Sequence, residues 1–341
     1  MCSRRSAGQV VCLIATALWL AATVLPAMAE RRASTPAPGD TVSFAGGTIS
    51  VDFDDRAFAV SRSDIMNWVR TSARAATAYF GRFPVPQARI RFRPVRGDQV
   101  TMGAAGGRPS PHIVVSMGRA TTARSLRHET LLVHEMIHLG VPDHDIRHLW
   151  LHEGIATYVE YVASAQAGLL PSDRVWAEFM REMPVGLPGA RDSGGLDGTS
   201  SETRRYWGGA MFCLIADIEI RKATGNRLGF QDTLRAMQRQ GGNLSRMWSL
   251  ERTFAVADAA TGTTVLSDLY RSMGPRPYAP DLARLWRNLG VAGDGFRVSL
   301  DDDAPFAAIR RAITNRPSEP LLVAQPRLVN SAASALRASA W

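Results

Sequence analysis

The sequence predicts an α+β fold, with a strand-rich part leading and a helical part following. Three observations carry this expectation. Up to about residue 120, apolar residues alternate in short runs such as TISVDF, ARIRFRPV and HIVVSMG. Beyond Thr121 the apolar period lengthens to that of helices. No internal repeat interrupts either part.

In chain order, residues 1–29 read as an export signal. Arg4 and Arg5 give a positive start, Val10 to Val24 form an apolar run, and Ala27-Met28-Ala29 offers a cleavage site. The run is too short and wrongly flanked to span a membrane stably, so the mature protein is expected to be exported, periplasmic or secreted. Residues 30–40 read as a disordered leader and 41–120 as the β-rich part. Within it, Ser63 to Phe80 predicts a helix capped by Ser63, with Ile65, Trp68, Val69 and Ala76 on one face. The Gly-rich MGAAGGRPSP (102–111) reads as a loop between two strands. The helical part, 121–315, shows helical patterns at 122–139, 149–167, 172–183, 205–224, 230–239, 263–273, 279–289 and 304–314. A polar connection occupies 184–205, and 316–341 reads as a disordered tail.

Composition narrows the function classes. The formal charge is +9, yet Lys222 is the sole lysine and no basic block or aromatic-interleaved basic stripe occurs. Nucleic-acid binding is therefore not expected. Cys2 and Cys12 would leave with the signal, and Cys213 lies in the apolar stretch GGAMFCLIADIEI, where a small buried core residue is the simplest reading. The sequence sets no oligomeric state.

His134-Glu135-Met136-Ile137-His138 matches HExxH. Residues four apart share a helix face, so both imidazoles can reach one zinc ion. Glu135 projects roughly 100° away around the helix, placed to take a proton from a water that the metal activates. The third ligand has two candidates. Glu153 sits in LWLHEGIATYVEYV, a second helical segment, and would complete a His₂Glu site with an open fourth position. His144 follows His138 by six residues, a spacing that resembles the metzincin pattern HExxHxxGxxH, but that pattern has a glycine where this chain has Val141. Gly140 reads as the cap of the first helix. His128, His148 and His152 lie nearby without a required role, although His152 could help stabilise an oxyanion. Asp143 and Asp145 could orient a ligand histidine.

HEMIH followed by LWLHEGIATYVEYV resembles the gluzincin peptidases, the thermolysin-like clan, and lies nearest the glycyl aminopeptidase-like, peptidase MA-like family. The resemblance covers about residues 122–292. It implies a zincin fold with the active site between the β-rich and helical parts, one zinc ion on His134, His138 and Glu153, and a peptide or protein substrate. It also implies that Glu160, two turns beyond Glu153, supports a ligand histidine. RRYWGGAMFCLIADIEIRKATGNRLGF resembles the Tyr-x-Lys-Gly-Ala helix of the same enzymes, which makes Tyr206 the oxyanion donor; Gly208 replaces that motif's lysine. Aminopeptidases of the clan carry a glutamate on a strand upstream of the metal helix, and MGAAGGRPSPHIVVSMG has no acid. The resemblance implies a zinc peptidase, and this departure from it points to endopeptidase rather than aminopeptidase specificity. The alternative is a catalytically silent, peptide-binding or scaffold protein of the cell envelope.

Overall fold

The computed structural model describes residues 41–53, 55–189 and 194–315. The expected signal, leader and tail lie outside those residues. A mixed sheet occupies the N-terminal part. Strands β1 (Thr41–Phe44) and β2 (Gly47–Asp52) form a hairpin, and helix α1 (Arg62–Phe80) crosses to β3 (Gln87–Val95), which pairs with β2 in parallel. A parallel pair requires such a crossover. Next come β4 (Val100–Gly106) and β5 (His112–Gly118), and the spatial order is β1-β2-β3-β5-β4. The inward side chains Ile49, Val51, Ala88, Ile90, Phe92, Ile113 and Val115 are buried in one core with those of α1.

Two expectations are corrected here. The Gly-rich stretch from 102 is no loop up to Gly106: it forms the edge strand β4, antiparallel to β5. The cap of α1 is Ser61, not Ser63. Ser61 is extended and its hydroxyl accepts from the Asp64 amide at 3.1 Å, whereas Ser63 already lies inside the helix.

The remainder is helical. The pattern at 122–139 divides into α2 (Ala123–Leu126) and α3 (Leu131–Leu139). The break has a cause: the Glu129 carboxylate accepts from the Leu131 amide at 3.0 Å, and the Glu129 carbonyl accepts from the Trp68 indole at 3.0 Å. Helices α4 (Leu149–Gln166) and α5 (Ser172–Glu182) follow, then a π-helical turn at Arg204–Gly208 that runs into α6 (Gly209–Ala223). The chain continues through α7 (Phe230–Arg239), α8 (Leu250–Thr261), α9 (Val265–Met273) and α10 (Leu282–Leu289). The last described elements are the hairpin β6 (Val291–Gly293) and β7 (Val298–Leu300) and α11 (Ala307–Thr314). The sequence reading missed α8 and this hairpin. Among the described residues, no helix is long and apolar enough to cross a membrane. Cys213 is fully buried in α6.

Helix α4 is the hub of this part, packed between α3 and α6. Its contact with α6 is glycine on glycine. A methyl group on Gly209 would stand 2.2 Å from the Trp150 carbonyl oxygen and 2.7 Å from Gly154 Cα. Only hydrogen fits, so the two backbones approach closely. We expect Gly209→Ala to push α6 from α4 and to lower stability by about 1–3 kcal/mol, read as a lower urea midpoint with an unchanged slope.

Candidate active site

Helix α3 lies beneath the edge strand β4 and against α1 and α4, and nearly all of its side chains are buried. Leu132, Val133, Met136, Ile137 and Leu139 anchor it in the core. That anchoring aims His134 and His138 at α4. Glu153, one turn into α4, meets both: its Oε2 lies 3.4 Å from His134 Nε2 and 3.4 Å from His138 Nε2. One donor atom from each of the three lies within 4.8 Å of the others. Glu160, two turns on, is buried, and its Oε2 lies 2.8 Å from His134 Nδ1. Thr130 donates to its other oxygen at 3.5 Å.

Glu135 points toward β4. It is 4% exposed, and a methyl group on Gly103 would sit 2.4 Å from its Oε1. The edge strand's backbone thus forms one wall of the pocket, and the strand can only lie there because residue 103 has no side chain. Burial pushes the Glu135 carboxyl up, against the lowering effect of His138 and His134. Burial alone would push the Glu153 carboxyl up as well, but His138 and His134 hold it well below the usual range. Burial would lower the His134 imidazole, yet the carboxylates of Glu153 and Glu160 beside it raise it well above its usual value.

These shifts state a charge balance. Glu135, Glu153 and Glu160 are three carboxylates in one largely buried cluster, and among the described residues no lysine or arginine pairs with any of them. The Oε2 of Glu153 is buried without a hydrogen-bond partner. Positive charge must come from histidine protonation or from a cation. Two imidazoles and a carboxylate converging on one point are the donor set that zinc takes, so the residues present fit that ion.

The π-helical turn brings Tyr206 to the pocket. Its ring stacks on His134, with centroids 6.0 Å apart and planes 16° apart. Burial, then the negative charge of Glu153, push its phenol up, so the hydroxyl keeps its proton. Single π-helical turns within helices are frequent at functional sites. The neighbouring Trp207 turns away and packs on Tyr161.

The other histidines separate clearly. His144 does not join the cluster: its Nε2 bonds the Thr253 hydroxyl of α8 at 2.8 Å. His148 Nδ1 bonds Asp197 at 2.7 Å, and His128 is exposed. His152 stacks flat on His138 at 4.4 Å, and burial, then His138, push its imidazole well below the usual value. Asp143 pairs with Arg108 and Asp145 with Arg147, so neither orients a cluster histidine. Gly140 ends α3 in a right-handed conformation; a methyl there would lie 2.3 Å from the Phe80 ring, so close packing places a glycine there.

Sequence reasoning missed Gly103, whose signal was a strand built from small residues. It also missed Asp197, which accepts 2.7 Å hydrogen bonds from His148, Trp150 and Tyr270. That carboxylate ties the connection before Tyr206 to the start of α4 and to α9.

Over 74% of its length the chain shares the fold of an aminopeptidase N family protein from Idiomarina loihiensis, with a TM-score of 0.59 and 15% identity. An M1 zinc metallopeptidase from Deinococcus radiodurans matches 70% of the chain at 18% identity and a TM-score of 0.46. The chain spans about half the length of these structures, 49% and 52% respectively. No family model and no curated protein matches the sequence.

His144 gives a stability signature separate from the pocket. Burial, helped by His148, pushes its imidazole down to about 4, against about 6.5 in an unfolded chain. Its neutral form stabilises the fold fully above pH 6.5, and that contribution falls away between pH 6.5 and 4, on the order of 3 kcal/mol in all. In urea unfolding, wild type and His144→Gln should therefore differ more at pH 7.5 than at pH 4.5.

Proposed function

We propose that this chain is an exported, single-zinc peptidase. The observation that carries the reading is the convergence of His134, His138 and Glu153 around a buried carboxylate oxygen with no hydrogen-bond partner. The fold it shares with peptidase structures and the export-like N-terminus support it. His134, His138 and Glu153 would hold the ion, which when bound supplies the Lewis acidity that activates water and polarises the scissile carbonyl. Glu135, its basicity raised by burial, takes the proton of the attacking water and passes it to the leaving amine. Tyr206, held protonated beside Glu153, donates a hydrogen bond to the developing oxyanion. Glu160 fixes the His134 ring through Nδ1, so that Nε2 faces the site.

We read the specificity as endopeptidase. The Idiomarina structure that shares this fold is an aminopeptidase N family protein, but β4, the strand against Glu135 here, runs VTMGAAG and carries no acid to hold a substrate's free amine. Peptides with free and acetylated N-termini test this: an endopeptidase cleaves internal bonds of both, and dependence on a free amine would transfer the assignment to aminopeptidase. Glu135→Gln should lower hydrolysis of an unstructured, casein-like protein by about 10²–10⁴-fold while zinc stays bound. Unchanged activity would sink the mechanism, and zinc binding without any hydrolysis by wild type would favour the silent scaffold.

Gly103 gives a sharper test. Gly103→Ala should displace the Glu135 carboxylate and lower kcat at least about tenfold, with zinc affinity unchanged.

A further inference from the structure

The sheet has a second face. One carries the buried Ile49, Ile90, Phe92 and Val115; on the other, β3 presents Arg89, Arg91 and Arg93 at alternate positions, all exposed. Arg89 stands in register with Ser50 and His112, and Arg91 with Asp52 and Val114. The start of this face, together with residues 107–111 and 243–246, bounds a groove of about 880 Å³. Arg89, Arg91, Arg108 and Arg246 line it, and no residue of the metal-type cluster does.

Its charge is unbalanced. Asp52 pairs with Arg91 at 3.1 Å and Asp143 with Arg108 at 3.0 Å. Among the described residues, the side chains of Arg89 and Arg246 have neither an ion pair nor a hydrogen bond. A guanidinium fork matches carboxylate or phosphate oxygens. Both occupied forks in this groove already hold carboxylates. Arg89 and Arg91, alternate residues of β3, stand about 6.6 Å apart along the strand, the same repeat as alternate side chains of an extended peptide. No Phe, Tyr or Trp lines the groove to stack bases. Of the large exposed apolar residues only Met247, next to Arg246, lies near it in the chain, and none lines it to enter a lipid surface.

We propose that this groove docks an extended acidic segment of a protein, its Asp or Glu carboxylates paired to Arg89 and Arg246. The site stands whether or not the chain hydrolyses peptides. It would select protein substrates or partners by a stretch away from any scissile bond.

The test uses the full chain carrying Glu135→Gln, so that bound peptide stays intact. Fluorescence anisotropy reads binding of a labelled peptide of alternating Glu and Ser, and of its Gln-Ser counterpart. The acidic peptide should bind at least about tenfold more tightly than the Gln-Ser peptide, and lose that advantage at about 0.5 M salt. Adding Arg89→Gln with Arg246→Gln should abolish the preference, while Arg89→Lys with Arg246→Lys keeps part of it and shows that the fold tolerates the change. Equal binding of the two peptides, or a preference that survives the Gln pair, overturns the proposal. So does binding of polyphosphate, an oligonucleotide or anionic vesicles through the same arginines when the acidic peptide does not bind.

Discussion

The structure around the pocket depends on one electrostatic constraint. Glu135, Glu153 and Glu160 are gathered where water is scarce, with histidines beside them and, among the described residues, no lysine or arginine paired with any of them. Uncompensated, such a group would cost several kcal/mol per carboxylate. The compensation has to come from protons on His134 or from a cation between the donors. Each carboxylate answers differently: Glu153 is held anionic between two rings, Glu160 grips the far side of one ring, and Glu135 stays apart with a raised pKa. The same residue type thus fills three roles because its surroundings differ.

Holding those donors together is a packing problem. Helix α3 supplies two histidines on one face, but Glu153 and Tyr206 arrive from other elements. Gly154 and Gly209 let α4 and α6 touch backbone to backbone, which brings the π-helical turn and Tyr206 against His134. Asp197 ties the preceding connection to the start of α4 and to α9. On the opposite side, Gly103 lets β4 press against Glu135. Small residues set the distances and large apolar ones hold them.

The sequence made local periodicity legible. The alternation in β3 and β5, the i, i+4 histidines and the apolar stripe of α4 are all repeats that a short window reveals. Long-range facts were hidden. His144 looked like a possible ligand because its partner Thr253 lies 109 residues away. The stretch from Met102 to Gly106 read as a loop because glycine and alanine are poor strand formers; pairing with β5 and the pressure of Glu135 override that propensity. Helix α8 went unseen because its hydrophobic pattern, LERTFAVADAAT, is weak and its burial is decided by tertiary neighbours. The cleft itself was readable only as far as one helix face and one carboxylate on the next helix.

Equilibrium dialysis of zinc against wild type, Glu153→Ala and His144→Ala tests the central claim most directly. The account predicts one zinc ion per wild-type chain, an affinity more than about 100-fold weaker in Glu153→Ala, and wild-type binding in His144→Ala. Wild-type affinity in Glu153→Ala, or its loss in His144→Ala alone, would contradict it.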